Sequence, residues 1–510
     1  YSDTSTQSKN TYADAIATLN KSFNDWSVNV NLGVSLSDSR YEMIGYEGGL
    51  KLINFFAVHN IDFNKAWKAK QSGWHDQTRA IFANAEIGWK SMIYLTATGR
   101  NDWDSRLAFS DYKSFFYPSI GLSAILTSMF NAPDWLTYLK VRGSYTEVGN
   151  SYGRFMTTVT YPYDEQTQSW TSTSSYPNTK LKPERTKSWE VGLDARILND
   201  ISLNLTYYRS NTYNQTFYAD LSLSSGYSNI PIQSGNIMNE GLEMSLGYNK
   251  QWKDFSFNTN YTLTWNKNRV KRLADGVYNY ATGQPIQMPE LSPLTYGHTD
   301  ARLILRVGGS MGDVYGQRLL KRDLNGYILN EEGVGLAMEN KETYLGSILP
   351  KMNMGWSLGF GYKGVNLGMT FTGRFGGIVI SETQSVLDAA GVSKVSADVR
   401  DAGGVQINQG KVSAQTYYQA IQGTAAYYTY SATNVRLGEL SLSYTLPKKW
   451  FDNKVGMTVG LVGKNLWMIY CKAPFDPELS ASTSSNYYMN VDYFMQPSLR
   501  NFGFNVKVQF

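Results

Sequence analysis

The strongest restriction on this chain is a two-residue rhythm that keeps returning. In WSVNVNLGVSL, Trp26, Val28, Val30, Leu32, Val34 and Leu36 share one parity, and Ser27, Asn29, Asn31, Gly33 and Ser35 share the other. Successive side chains of a β-strand point to opposite faces, so this run is a strand with one greasy face and one wet face. With 42% of residues apolar, chance gives so strict an alternation roughly once in three thousand windows. Yet Trp189, Val191, Leu193, Ala195 and Ile197 repeat it, as do Ile201, Leu203, Leu205 and Tyr207. Phe255, Phe257, Tyr261, Leu263 and Trp265 follow, then Met354, Trp356, Leu358, Phe360 and Tyr362, then Val455, Met457, Val459 and Leu461. The chain closes on Phe502, Phe504, Val506, Val508 and Phe510, set against Gly503, Asn505, Lys507 and Gln509. About 16 strands can be counted in this way, and no convincing amphipathic helix.

A chain of 510 residues would ordinarily divide into about three or four domains. Here no Pro-rich, Gly/Ser-rich or like-charged linker marks a boundary. No apolar run approaches the roughly 18–20 residues of a spanning helix. Lipid admits only helices and closed barrels, so a membrane form of this chain is a β-barrel. The connections support that form. Those at 23–25, 198–200, 251–254 and 363–364 are tight, whereas 37–78, 149–186, 376–433 and 466–498 are long. Short turns at one end and long loops at the other mark an outer-membrane barrel whose long loops face outside. The Asn, Ser, Thr, Gly and charged residues of the wet faces make a poor dry core but a good lumen lining. Trp89, Tyr207, Tyr208, Trp252, Trp265, Tyr444 and Trp450 stand at strand ends, where interfacial girdles belong. The fold class expected is all-β, a transmembrane antiparallel β-barrel with short periplasmic turns and long extracellular loops. The terminal Phe510 then ends the last strand with the aromatic that barrel-insertion machinery generally reads. A single Cys excludes an intramolecular disulfide framework, and His59, His75 and His298 lack metal-ligand spacing. The net charge of +5 is small and spread, and points to no nucleic-acid partner.

Several longer blocks resemble a known family. They are YLTATGRNDWDSRL (94–107), YPSIGLSAI with YLKVRGSYTEVGN (117–150), LKPERTKSWEVGLDARI (181–197), GNIMNEGLEMSLGY (235–248), VRLGELSLSYTLPKKW (435–450) and GKNLW followed by FDPELS (463–480). In this order they look like the barrel signatures of SusC/RagA-like TonB-dependent transporters. The resemblance implies an outer-membrane importer of a Gram-negative bacterium, with a plugged barrel of about 22 strands. It implies gating by TonB from the periplasm and a SusD-like surface lipoprotein as lid. The substrate class implied is an oligomeric nutrient, glycan or peptide, and no cofactor. The whole chain, 1–510, is then expected to be the C-terminal part of such a barrel, about 16 of its strands, with the plug and first strands outside it. Its opening at Tyr1 without a signal peptide fits a mature or partial chain. The alternative is a SusC-like barrel that serves an outer-membrane assembly as a structural subunit and imports nothing.

Other motifs have blander readings. GGSMG (308–312) matches a nucleophile elbow with Ser310, but that elbow needs a strand–turn–helix and a partnered His. GFGYKG (359–364) matches a dinucleotide fingerprint through Gly359, Gly361 and Gly364, but lies inside an alternating strand. No catalytic constellation results, and an enzyme is not expected. DLNGYILNEEG (323–333) opens like a calcium loop with Asp323 and Asn325, a weak metal candidate because Tyr327 and Val334 hold positions that need ligands. Aromatics in the long loops suit stacking on sugars or gripping an extended ligand. They are Trp74, Trp103, Tyr161, Tyr163, Trp170, Tyr176, Tyr278, Tyr280, Tyr296, Tyr427, Tyr428, Tyr487 and Tyr488. Within GRNDW, Arg100, Asn101, Asp102 and Trp103 start an extracellular loop at the lumen mouth, and with Trp170 they are the candidate substrate-binding residues.

Overall fold

The alternating runs become neighbours in one antiparallel sheet of fifteen strands, one fewer than the rhythm suggested. In chain order these are β1 (Ser2–Phe23), β2 (Trp26–Gly48), β3 (Trp67–Trp89), β4 (Ile93–Asp104), β5 (Phe115–Ile125), β6 (Leu136–Asn150), β7 (Glu184–Ile197) and β8 (Ile201–Tyr213). They continue with β9 (Asn236–Trp252), β10 (Phe255–Arg272), β11 (Met352–Tyr362), β12 (Val365–Phe375), β13 (Asn434–Leu446), β14 (Gly456–Cys471) and β15 (Asn501–Gln509). Each pairs with the next. The computed structural model describes all residues except 66, 165–168, 234, 274–282, 285–289, 296–298, 332–334 and 480–489. Tyr278, Tyr280, Tyr296, His298, Val334, Tyr487 and Tyr488 lie outside the described residues.

Register keeps the two faces apart. Val28, Val30, Leu32 and Val34 stand opposite Ile87, Ala85, Ala83 and Ile81. That apolar face continues through Leu95 and Ala97 to Leu122 and Ile120. These side chains point away from the lumen; Leu32 is 56% exposed and Ile81 57%. The other face carries hydrogen bonds between strands. Arg142 donates to Asp194 at 2.7 Å and to Thr206, and Thr18 donates to Asn31 at 2.8 Å. Tyr208 belongs to this inner face rather than to a girdle, because its hydroxyl donates to Asn266 at 3.0 Å. Its neighbour Tyr207 points outward among the apolar residues. β1 and β15, at the two ends of the strand order, are each paired along one edge and exposed throughout.

The turns at one end are tight for a local reason. In the β11–β12 hairpin, Lys363 (φ 47°) and Gly364 (φ 89°) both adopt left-handed geometry, which suits a two-residue turn between twisted strands. At the other end two expected loops turn out to be built structure. β2 and β3 stay paired as far as Gly48 and Trp67, so the loop expected over 37–78 shrinks to 49–66. Above the lipid both faces meet water, so the alternation lapses while the backbone ladder continues. The segment 376–433 holds three helices: α1 (Glu382–Ala389), α2 (Lys394–Asp401) and α3 (Ala414–Ile421). Ser381, Ser393 and Ser413 cap them, each hydroxyl accepting an N–H from three residues on. α2 and α3 pack over a small core of Leu320, Ile328, Ile407, Tyr418, Ile421 and Tyr428. Each helix is only eight residues long, too short for the helical period to show above the background.

Two outcomes check this topology. A membrane-impermeant thiol reagent that enters the lumen should modify Asn31→Cys and spare Val30→Cys in the intact membrane; equal modification would refute the assignment of faces. A lysine at outward Leu440, midway up β13, should cost about 2–4 kcal/mol of barrel stability, while Tyr444→Lys near the turn should cost about 0–1. Reversible unfolding in lipid measures both.

Candidate functional site

The inner face is richest where β3 to β6 approach the long loops. Cross-strand pairing lines up Gly33, Phe82, Arg100 and Tyr117 in one row. Ser35, Ala80, Asp102 and Phe115 form the next, and Thr78 with Asp104 the one above. Arg100 Nε donates to Asp102 at 2.7 Å, and its guanidinium lies 5.6 Å from the centre of the Phe82 ring. The Tyr117 hydroxyl donates to the second Asp102 oxygen at 2.8 Å. Gly33 leaves the room that the Phe82 ring occupies, since any Cβ there would collide with it. Asp104 is buried and fully engaged. It accepts from the Arg106 backbone and side chain, from Ser151 at 2.8 Å and from Thr78 at 3.3 Å. One carboxylate thereby pins the starts of two long loops to the wall.

The strip continues up the tall β2–β3 hairpin. Arg154 donates to both oxygens of Asp76 and lies 3.7 Å over the Trp74 ring. Trp74 in turn stacks on Tyr41 at 5.8 Å and 12°. Tyr41, Trp74, Pro162 and Tyr163 line a recess of about 1040 Å³ against the 149–186 loop. Acids and bases alternate along the strip, so it is nearly neutral. It offers forked guanidinium donors, carboxylate acceptors and aromatic faces to one passing chain. Amide backbones and sugar hydroxyls both match that set.

The structure divides the five candidate residues. Arg100 and Asp102 face inward and bond to each other. Asn101 and Trp103 pair with Ile81 and Arg79 on the outward face. Trp103, 41% exposed, stands at the upper end of β4, the height of an outer aromatic girdle. Trp170 is 70% exposed above the mouth, edge-on to Tyr163 at 5.1 Å. Tyr428 is buried, and burial raises its phenol pKa; Tyr427 accepts the Leu320 N–H at 3.0 Å. Those two tyrosines pack the loops rather than meet solvent. Arg154, Asp76, Tyr117 and Tyr41 escaped the reading by sequence, although the inward parity of Asp76, Tyr117 and Tyr41 continues that of their strands.

The other motifs resolve locally. Ser310 sits in a turn between two strands, Arg302–Arg306 and Asp313–Leu320, with its hydroxyl 3.1 Å from that of Ser347. No helix follows, so the elbow geometry is missing. Gly359 and Gly361 face inward beside Asn258 and Ser256, in a hairpin that opens no helix. Asp323 accepts the backbone N–H groups of Asn325 and Tyr327 at 2.9 Å each, and so closes a turn.

A second anchor holds the FDPELS block. Arg436, on the inner face of β13, forms a two-pronged pair with Asp476 at 2.7 and 3.0 Å, and both side chains are nearly buried. Burial alone would raise the Asp476 pKa, but the Arg436 guanidinium and the Glu478 N–H hold it below the usual carboxylate range.

Residues 1–466 match the family model described as TonB-dependent receptor-like β-barrel. TonB-dependent receptor P3 of Formosa agariphila is 24% identical over 98% of this chain and 52% of its own length. TonB-dependent receptor SusC of Bacteroides thetaiotaomicron is 25% identical over 47% of this chain and 22% of its own length. The chain spans about half the length, or less, of the curated relatives it matches. Among solved structures, the RagAB peptide importer in its open-open state superposes with a TM-score of 0.79 at 19% identity, over 100% of this chain and 55% of that one.

The Arg436–Asp476 pair makes a checkable claim. Asp476→Ala strands a nearly buried guanidinium and should cost about 3–5 kcal/mol. Because the folded pKa is depressed, the stabilisation is complete above the ordinary carboxylate value near 4 and fades as pH falls through the lower folded value. Unfolding followed against pH should therefore show a smaller acid-side loss in Asp476→Ala than in the unmodified protein, the remainder coming from other depressed carboxylates such as Asp104.

Proposed function

Because the chain belongs to the TonB-dependent receptor-like β-barrel family, we propose that it forms the larger part of a SusC-like outer-membrane importer of an oligomeric nutrient, peptide or glycan. The observation that carries this reading is the inner strip from Arg100, Asp102 and Tyr117 up to Asp76, Arg154 and Trp74. A wall that only had to stand in lipid has no need of paired charges and stacked rings at its mouth. The likeness to the RagAB peptide importer supports an extended, peptide-like ligand. A plug, the first strands and the TonB-contacting segment belong, in this proposal, to residues outside this chain, and they would close the sheet between β15 and β1. TonB then supplies the work that opens the plug.

The proposal includes a SusD-like lipoprotein lid. A protein interface of standard size buries about 1,600 Å². The built loops around α1 to α3, the 149–186 loop and the segment after β14 supply surface on that scale. Ligand would be enclosed between lid and mouth, gripped by Trp170 and hydrogen-bonded by Arg100 and Asp102. An aromatic anchor in a desolvated pocket contributes about 1–2 kcal/mol.

Growth on the cognate oligomer tests this reading. It should fall in an Arg100→Gln, Trp170→Ala double variant whose barrel still assembles, and should be unchanged in Trp103→Ala, whose ring faces outward. Purification from native membranes should bring a SusD-like lipoprotein identifiable by mass spectrometry. Uptake indifferent to the double variant would remove the ligand role from these residues. A barrel that supports no uptake at all would favour the structural-subunit alternative.

A further inference from the structure

The outward face changes character sharply above β6 to β10. Its last apolar row is Val191, Tyr207, Leu242 and Trp265. The next row is Tyr145, Trp189, Arg209, Glu240 and Lys267. Above that stand Glu147, Lys187, Asn211, Met238 and Arg269, with Arg185 one step higher opposite Gly149. Arg209 lies eight residues along β8 from Ile201, which for a strand tilted by ~40° is about 20 Å of height, close to the thickness of the apolar band. The cations therefore begin where acyl chains give way to headgroups, directly over Trp189, Tyr207 and Trp265, residues of the type that anchors at interfaces.

The charge there is unbalanced. Among the described residues of these rows, Arg185, Lys187, Arg209, Lys267 and Arg269 stand with only two acids, Glu147 and Glu240. Glu147 is held by Arg185 and Lys187 at 3.2 Å each and by the Tyr145 hydroxyl at 2.7 Å. Glu240 lies 3.7 Å from Lys267. Three positive charges remain on the outward parity of these strands, with Met238 buried beside Arg269. Strands β11 to β14 end on outward Met352, Phe375, Val435 and Tyr470, level with or below that last apolar row, because Met352 pairs with Trp265.

We propose that this band is a binding site for the phosphate of an outer-leaflet glycolipid of the lipid A type. The guanidinium forks of Arg209 and Arg269 and the Lys267 ammonium would hold the phosphate oxygens. The acyl chains would lie below on Leu205, Leu242 and Met244. The site goes beyond import, and rests on that reading only for its outer-membrane location. Lipid binding and nutrient uptake are separate measurements, so the failure of one does not mimic the failure of the other.

The test uses the full-length protein purified from outer membranes. Native mass spectrometry should find phosphorylated lipid A retained, and titration into nanodiscs should give an affinity. Each basic side chain near an anionic lipid surface contributes roughly fivefold. An Arg209→Gln, Lys267→Gln, Arg269→Gln variant should accordingly bind phosphorylated lipid A about a hundredfold more weakly. A Lys363→Gln variant at the opposite end of the barrel should bind as the unmodified protein does. Enzymatically dephosphorylated lipid A should bind the unmodified protein as weakly as the phosphorylated form binds the triple variant. Inorganic phosphate alone should not compete at millimolar concentration. Equal binding of phosphorylated and dephosphorylated lipid, or full retention by the triple variant, overturns the proposal. Competition by inorganic phosphate would make the band a free-anion site and overturn it too. If the triple variant fails to assemble, the unmodified protein still decides, through its preference for the phosphorylated lipid and the loss of that preference at high salt.

Discussion

The structure depends on one constraint: in hydrocarbon, no backbone N–H or C=O can be left to water. Strands meet it only by pairing along both edges, and paired strands impose a period of two on every side chain. From that follow the alternation of Trp26 to Leu36, the consecutive strand order, and the tight turns at one end. It also explains why the long β2–β3 hairpin keeps its ladder above the lipid after its side chains have stopped alternating. A backbone pairing begun in the membrane has no reason to stop at its surface.

The extracellular structure obeys a different rule. Water is available there, so segments fold by burying small apolar clusters and by pinning backbone with carboxylates. Asp300 accepts N–H groups from Gln317, Arg318 and Ala425, and so ties a strand to the segment after α3. Asp492 accepts the Ser381 hydroxyl at the start of α1. Asp104 and the Arg436–Asp476 pair join the same scheme to the barrel wall. Asp104, Asp300 and Asp476 are each satisfied by several donors, the condition under which burying an acid is tolerable.

This division explains what could be read from the sequence. The fifteen-strand sheet was legible because lipid forces one face apolar and water keeps the other polar, residue after residue. The same parity placed Trp103 outward, in register with Leu95 and Ala97, and a strict reading of GRNDW would have separated Arg100 and Asp102 from their neighbours. The three helices were not legible, because eight-residue helices have no period long enough to see. The joining of Asp76 to Arg154, or of Arg436 to Asp476, was not legible at all. Those contacts depend on where long loops fold back, and no local pattern encodes that.

The inner wall shows how a polar surface can remain passable. Arg142 lies flat because the facing residue is Gly192, whose added Cβ would fall 2.7 Å from the guanidinium. Tyr208 lies over Gly241 in the same way, at 2.6 Å. Glycine opposite a long side chain turns it along the wall instead of into the lumen, and its partner across the strand, Asp194 or Asn266, then fixes it there. The wall is thereby polar, with Arg142 held against Asp194 and Tyr208 against Asn266. In the proposed importer, a ligand moving past it would exchange water for weak, replaceable contacts, the balance that a conducting pathway requires. The paired ions and stacked rings gather at the mouth, where the proposed importer would select a ligand before moving it.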